Sequence, residues 1–169
     1  MREHEIEVPW DRSAPELGTF TLFCRELFTD ESLPPLLFLQ GGPGSPAPRL
    51  VQGWIPEALK HYRVFLLDER GTGRSGKIDK GNPELIRPEI LSKLRCPDIV
   101  ADAEDLRRHL GFATWDVMGN SFGALCTASY LSYAPESLNR AFLTGALPHL
   151  GWTANEYNEK TLELVDERC

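Results

Sequence analysis

Apolar positions in this chain fall into short blocks separated by Gly- and Pro-rich punctuation, and the period within the blocks changes along the sequence. Residues 5–8 and 18–26 predict two early strands. In the second, Phe20, Leu22 and Cys24 alternate with Thr19, Thr21 and Phe23, the two-residue period of a sheet. Pro34-Pro35 then introduces Leu36-Leu37-Phe38-Leu39, a continuous apolar run of the kind found in strands buried on both faces, and residues 62–67 read as a second buried strand. Residues 115–118 and 138–144 predict further strands.

Between the strands the period lengthens. Residues 54–61 predict a helical crossover, which a parallel strand pair requires. A stronger helix is predicted over residues 97–110: Pro97 suits the first turn, Asp98 complements its dipole, Arg107-Arg108-His109 suit its end, and Gly111 stops it. Its apolar residues Ile99, Ala103, Leu106 and Leu110 share one face. Another helix follows from Ala124 and ends at Ala134-Pro135. Residues 155–169 predict the last helix, with Tyr157, Thr161, Leu164 and Val165 on one face. Strands alternating with helices imply an α/β domain, a mainly parallel sheet with helices on both faces and right-handed crossovers.

Composition narrows the class of protein. A chain of 169 residues, 41% hydrophobic and 25% charged, is long enough for one domain with a core. A formal net charge of −7, without clustered Lys and Arg, argues against nucleic acid or an anionic membrane as partner. The opening Met1-Arg2-Glu3-His4-Glu5-Ile6-Glu7 is too charged for a signal peptide, and no apolar run reaches membrane-spanning length, so a cytoplasmic location is expected. Cys24, Cys96, Cys126 and Cys169 form no C-x-x-C pair, and neither a zinc site nor any other metal or cofactor is indicated.

The candidate chemistry centres on Gly119-Asn120-Ser121-Phe122-Gly123, which lies between the strand at 115–118 and the helix from Ala124. Gly-x-Ser-x-Gly in a strand, turn, helix setting is the nucleophile elbow of an α/β-hydrolase: only small flanking residues let the chain turn sharply enough to hold the serine in a strained conformation. Ser121 is therefore the candidate nucleophile. Loops that leave the C-terminal ends of parallel strands converge on one rim, and the Gly41-Gly42-Pro43-Gly44 loop, the Asp68–Gly76 loop and the Ser121 elbow all do so. Acyl transfer needs donors aimed at the developing oxyanion. The amide of Phe122 is one candidate and an amide of the Gly41-Gly42 turn the other, each contributing about 3–4 kcal/mol by analogy with measured oxyanion holes. Asp68 and Arg70 are expected to tie their loop, with Gly44, Gly119 and Gly123 as structural turns. Gly71-x-Gly73-x-x-Gly76 formally matches a dinucleotide fingerprint, but Asp68-Glu69-Arg70 separate it from the strand and no helix opens after it, so that reading is rejected.

Together, Leu39-Gln40-Gly41-Gly42-Pro43-Gly44, Asp68-Glu69-Arg70-Gly71-Thr72-Gly73-Arg74-Ser75 and Gly119-Asn120-Ser121-Phe122-Gly123 resemble proline iminopeptidases, serine peptidases of the α/β-hydrolase fold. Gln40 stands where many members have histidine and is similar to the larger subgroup; Phe122 replaces a frequent tryptophan. The resemblance implies release of an N-terminal residue, preferentially proline, from a short peptide with a free N-terminus, through an acyl-enzyme and without metal. It also implies a helical cap whose acidic groups hold the substrate amine, with Glu156 and Glu159 as candidates. Residues 1–150 are then the N-terminal part of the catalytic domain and 151–169 the start of the cap.

The general base is the missing piece. The order expected in this fold is Ser, acid, His, yet after Ser121 the only histidine is His149, and the only aspartate, Asp166, follows it. Glu136 would satisfy the order but falls at the far end of the helix after the elbow. A fold truncated after about its sixth strand, with a C-terminal remainder of the same protein supplying acid and histidine, accounts for this. Two other readings share the site: an esterase or amidase of the same fold, and a non-catalytic binding module that keeps the pocket without the base.

Overall fold

The computed structural model of the protein describes residues 1–145 and 151–167. Six strands form one sheet in the order β1-β2-β4-β3-β5-β6. β1 (Arg2–Pro9) and β2 (Thr19–Leu27) are antiparallel, and β2 runs antiparallel to β4 (Arg63–Leu67). From there β4, β3 (Pro35–Leu39), β5 (Trp115–Asn120) and β6 (Leu138–Thr144) are parallel neighbours. The helices are α1 (Ile55–Ala58), α2 (Pro88–Leu91), α3 (Cys96–His109), α4 (Phe122–Tyr133) and α5 (Ala154–Asp166).

The continuous apolar runs divide by residue parity between two faces. Leu37, Leu39, Phe65, Leu67, Trp115 and Val117 pack with Ile99, Ala103 and Leu106 of α3 and with Cys126 and Tyr130 of α4. On the other face Phe38, Val64 and Leu66 meet Ile55, Trp54 and Ala58 around α1, with Met118 beside them. Burying such strands on both sides is what an unbroken apolar run requires. The second face has the thinner cover, because the crossover expected over residues 54–61 is helical only through the single turn of α1. Beyond it the backbone tightens, Lys60 N–H bonding Glu57 and His61 N–H bonding Ala58.

Of three further departures from the sequence pattern, those at β1 and at the last helix have polar causes. β1 starts at Arg2 rather than at residue 5 because its polar residues pair across the sheet: Arg2 and His4 reach the fully buried Glu26 at 3.4 and 2.8 Å, and Arg63 reaches it from β4 at 2.6 Å. α2 is one turn, too short to show a helical period. The last helix starts one residue earlier than expected, capped by Thr153, whose hydroxyl accepts the Glu156 N–H while the Glu156 carboxylate accepts the Thr153 N–H. The end of the predicted helix at Cys169 lies outside the described residues.

One buried ion pair joins the loop after β4 to α3. Arg70 makes two parallel bonds of 2.7 Å to Asp102, both side chains essentially inaccessible, and its guanidinium also donates to the Trp10 carbonyl at 2.9 Å and that of Lys93 at 3.2 Å. The bidentate geometry and the carbonyls satisfy the guanidinium that burial has stripped of water. Removing one partner leaves the other charge buried, so Arg70→Met should destabilise the fold by about 3–5 kcal/mol, read as a lower denaturation midpoint in urea.

Candidate active site

Ser121 sits between β5 and α4 with φ 54° and ψ −116°, the one non-glycine residue at positive φ among those described. An L-residue adopts this conformation only when its surroundings over-determine it, at about 1–3 kcal/mol. The determinants are close contacts on both sides of the serine. A Cβ on Gly119 would lie 2.0 Å from the Gly123 carbonyl oxygen and 2.4 Å from Thr127 Oγ1. One on Gly123 would lie 2.0 Å from the Leu39 carbonyl oxygen. The elbow is thus pressed against the end of β3 as well as against itself. From the other side the Ser121 N–H donates to the Thr144 carbonyl at 2.9 Å, and Thr144 Oγ1 donates to the Gly119 carbonyl at 3.0 Å. The sequence carries no signal for Thr144, because only the β5–β6 register brings it there.

Ser121 is exposed at the N-terminus of α4. As the first helical residue, Phe122 has an N–H with no intrahelical acceptor, and the helix dipole places positive potential at the same point. Across from it runs the loop after β3. A Cβ on Gly41 would be 3.0 Å from the Asn120 carbonyl oxygen and 3.1 Å from Ser121 Cβ, so this loop approaches the elbow as closely as glycine allows. The loop turns at Gly42, with φ 138°, through a cis Gly42–Pro43 peptide, and Gly44 follows at φ 98°. Of the two amides considered as the second oxyanion donor, that of Gly41 donates to its neighbour's side chain, Gln40 Oε1, at 3.0 Å. Sequence reasoning could not see this bond, which depends on the rotamer of Gln40.

The loop after β4 serves as the frame. Asp68 accepts the Ala47 N–H at 2.9 Å and the Arg74 N–H at 2.8 Å and also pairs with Arg49, so one buried carboxylate ties the β3 loop to the β4 loop. A Cβ on Gly73 would lie 2.0 Å from Asp68 Oδ2, which makes that glycine part of the same knot. Thr72 and Ser75 bridge as a tight turn and no helix opens behind it, an arrangement unlike a dinucleotide loop. A cleft of about 290 Å³ opens between the two loops, lined by Pro43, Gly44, Glu69, Thr72, Ile99 and Phe122. Among the described residues no group of His, Cys, Asp and Glu is arranged to hold a metal, and no helix is long and apolar enough to cross a membrane.

Of the other candidates, His149 lies outside the described residues. Glu136 sits in the turn after α4, at the end of that helix away from Ser121. Glu156 is engaged in the cap of its own helix, and the bonds from Thr153 hold its carboxyl below the usual range. Glu159 is exposed on α5.

An exposed serine on a strained elbow, facing a glycine loop at the carboxyl edge of a parallel sheet, is the architecture of an α/β hydrolase. The chain belongs to the alpha/beta hydrolase fold family, whose model matches residues 34–163. It is 40% identical to the proline iminopeptidase of Aeromonas sobria over 98% of this chain and 42% of that protein. It is 39% identical to a proline iminopeptidase of Aspergillus aculeatus over 85% of this chain and 36% of that protein. The chain therefore spans less than half the length of the curated relatives it matches. Among solved structures, a proline iminopeptidase-related protein from Thermus thermophilus superposes with a TM-score of 0.55 at 28% identity, over 81% of this chain and 42% of that one. A hydrolase from Pseudomonas aeruginosa shares the fold alone, with a TM-score of 0.64 at 18% identity over 96% of this chain and 53% of that one.

Two substitutions separate the determinants of the elbow. Ser121→Gly should raise stability by about 1–2 kcal/mol, because glycine accepts the backbone conformation that serine resists. Gly123→Ala should lower it by about 3 kcal/mol or more, because the added carbon meets backbone rather than a movable side chain. Thermal unfolding of both variants beside the parent chain checks the pair.

Proposed function

We propose that this chain is the nucleophile-bearing part of a serine aminopeptidase that releases N-terminal residues, preferentially proline, from short peptides. The observation that carries the reading is the Ser121 elbow set against the Gly41–Gly44 loop, and the 40% identity to the Aeromonas proline iminopeptidase supports the substrate class. Ser121 Oγ attacks the carbonyl carbon of the first residue, its proton passes to a histidine base, and the oxyanion is stabilised by the N–H groups of Phe122 and Gly42. The protonated base then returns the proton to the leaving amine of the shortened peptide, and water repeats the sequence on the acyl-enzyme to release the amino acid.

The acid and histidine of the triad are supplied by the part of the protein that corresponds to the unmatched length of the relatives. That part also covers the apolar edge left by β6, where Phe142 and Leu143 are each 39% exposed. α5 begins the cap over the site. Residues 1–150 form the catalytic portion, Asp68 and Arg70 hold its loops, and the peptide substrate enters with its amine free. A cytoplasmic location fits the unpaired thiols of Cys24, Cys96 and Cys126.

The test is turnover by the complete protein of prolyl-β-naphthylamide, its N-acetylated counterpart and a simple p-nitrophenyl ester. Cleavage of the free prolyl substrate, with a fall in kcat of about 1,000-fold or more in Ser121→Ala, is expected. Turnover of the ester alone would instead identify an esterase, and turnover of none of them a binding module.

A further inference from the structure

The loop that carries the proposed second oxyanion donor is held from within by one of its own side chains. Gln40 follows β3 directly, and its Oε1 accepts the Gly41 N–H at 3.0 Å. The peptide unit between these two residues is trans, so the Gln40 carbonyl points the opposite way from the Gly41 N–H. That carbonyl faces the start of α4, where a Cβ on Gly123 would lie 2.9 Å from its oxygen. One peptide plane is therefore confined at both ends, by the helix on the carbonyl side and by a carboxamide on the amide side. Beyond Gly41 the loop doubles back, so that a Cβ on Gly42 would fall 3.1 Å from the Gly44 nitrogen and 3.3 Å from that of Ser45. The return brings the Pro46 carbonyl to 3.5 Å from Gln40 Nε2, a long contact that bridges the mouth of the loop. Ala47 is then tied to Asp68 through its N–H.

We propose that Gln40 is the positioning residue of the oxyanion loop: by holding the Gly41 N–H and spanning to the Pro46 carbonyl, its carboxamide fixes the peptide plane ahead of Gly42 and leaves the Gly42 N–H as the free donor. The Gly42 N–H has no hydrogen-bond partner among the described residues. The kinetic consequence rests on the serine-hydrolase reading; the structural one does not.

Two glycines in succession make such a device necessary. Gly41 must lack a side chain to approach the elbow, since a Cβ there would stand 3.0 Å from the Asn120 carbonyl oxygen and 3.1 Å from Ser121 Cβ. The same absence leaves its backbone free to rotate. Contact with the elbow locates the Gly41 Cα but does not set the planes on either side of it; the bond to Gln40 Oε1 sets the first, and the second follows from it. Preorganisation is what gives an oxyanion donor its value, because an amide already in place needs no rearrangement as the charge develops. A carboxamide performs this task without charge, whereas a carboxylate of the same reach would hold the Gly41 N–H and oppose the oxyanion. Replacing Gln40 by Glu therefore separates the hold on the loop from the charge beside it.

The experiment compares wild type, Gln40→Met and Gln40→Glu in the complete protein. It measures kcat and KM for the prolyl substrate, the affinities of pyrrolidine-2-boronic acid and of free proline, and amide hydrogen exchange at Gly41. The boronic acid forms a tetrahedral adduct with the serine and places an oxygen where the oxyanion develops; proline makes no such adduct. Gln40→Met keeps the length of the side chain without an acceptor. It should lower kcat about 10-fold or more with KM within about 3-fold of wild type, and weaken the boronic acid by a similar factor while leaving proline unchanged. Exchange at Gly41 should quicken in Gln40→Met and stay near the wild-type rate in Gln40→Glu, which retains the acceptor. Wild-type kcat and exchange in Gln40→Met, or equal losses of boronic acid and proline affinity, overturn the proposal. If Gln40→Met fails to fold, exchange at Gly41 in Gln40→Glu decides, and a faster rate there overturns it. If the wild type turns over no prolyl substrate, the functional reading has failed, and exchange at Gly41 still decides the role of Gln40.

Discussion

The close approach of backbone to backbone at the β5–α4 junction is the constraint on which the rest of the site depends. Gly119 and Gly123 let the turn fold onto itself and onto the Leu39 carbonyl, and in that space Ser121 has only the left-handed conformation available. The placement of the serine, though not its activation by a base, follows from this geometry. The hydroxyl is carried clear of the sheet, the Phe122 N–H starts a helix beside it, and the β3 loop is forced to within contact of the same point. A side chain at either glycine would open the turn and separate these three elements together. The strain is offset by bonding elsewhere, chiefly the Thr144 carbonyl on the Ser121 N–H and the packing of α4 on the sheet.

A second layer of polar burial keeps the loops still. Asp68 joins the loop after β3 to the loop after β4, and Arg70 joins the latter to α3 through Asp102. Such groups are costly to bury and need near-complete hydrogen bonding. They occupy the first positions of the loop after β4, where a shift of the backbone would move the cleft wall opposite Phe122. Glu69 lies between them, is equally buried, and differs in having an unpartnered oxygen among the described residues.

Much of this fold is legible in the amino-acid pattern. The unbroken apolar runs over residues 36–39 and 64–67 locate β3 and β4 because burial on both faces leaves no alternation to misread, and α3 is legible at both ends from Pro97 and Gly111. The extension of β1 to Arg2 is not, because its cause is the buried Glu26 on a neighbouring strand. The shrinkage of the 54–61 crossover to one turn depends on local tightening of hydrogen bonds that periodicity does not report. At the site, Ser121, the glycines and the loops are visible as motifs. The commitment of the Gly41 amide to Gln40, the hold of Thr144 on the elbow and the burial of Glu69 are invisible, since each depends on a register or a rotamer.

A strained serine that is a working nucleophile can be tested most directly by covalent capture. The complete protein should be treated with a fluorophosphonate and its adduct located by peptide mass spectrometry. One phosphonyl group on Ser121, blocked by prior incubation with a slowly turned-over prolyl substrate, is the predicted result. An unlabelled Ser121 in folded protein, or an adduct carried by a different residue, would contradict the assignment of Ser121 as the nucleophile.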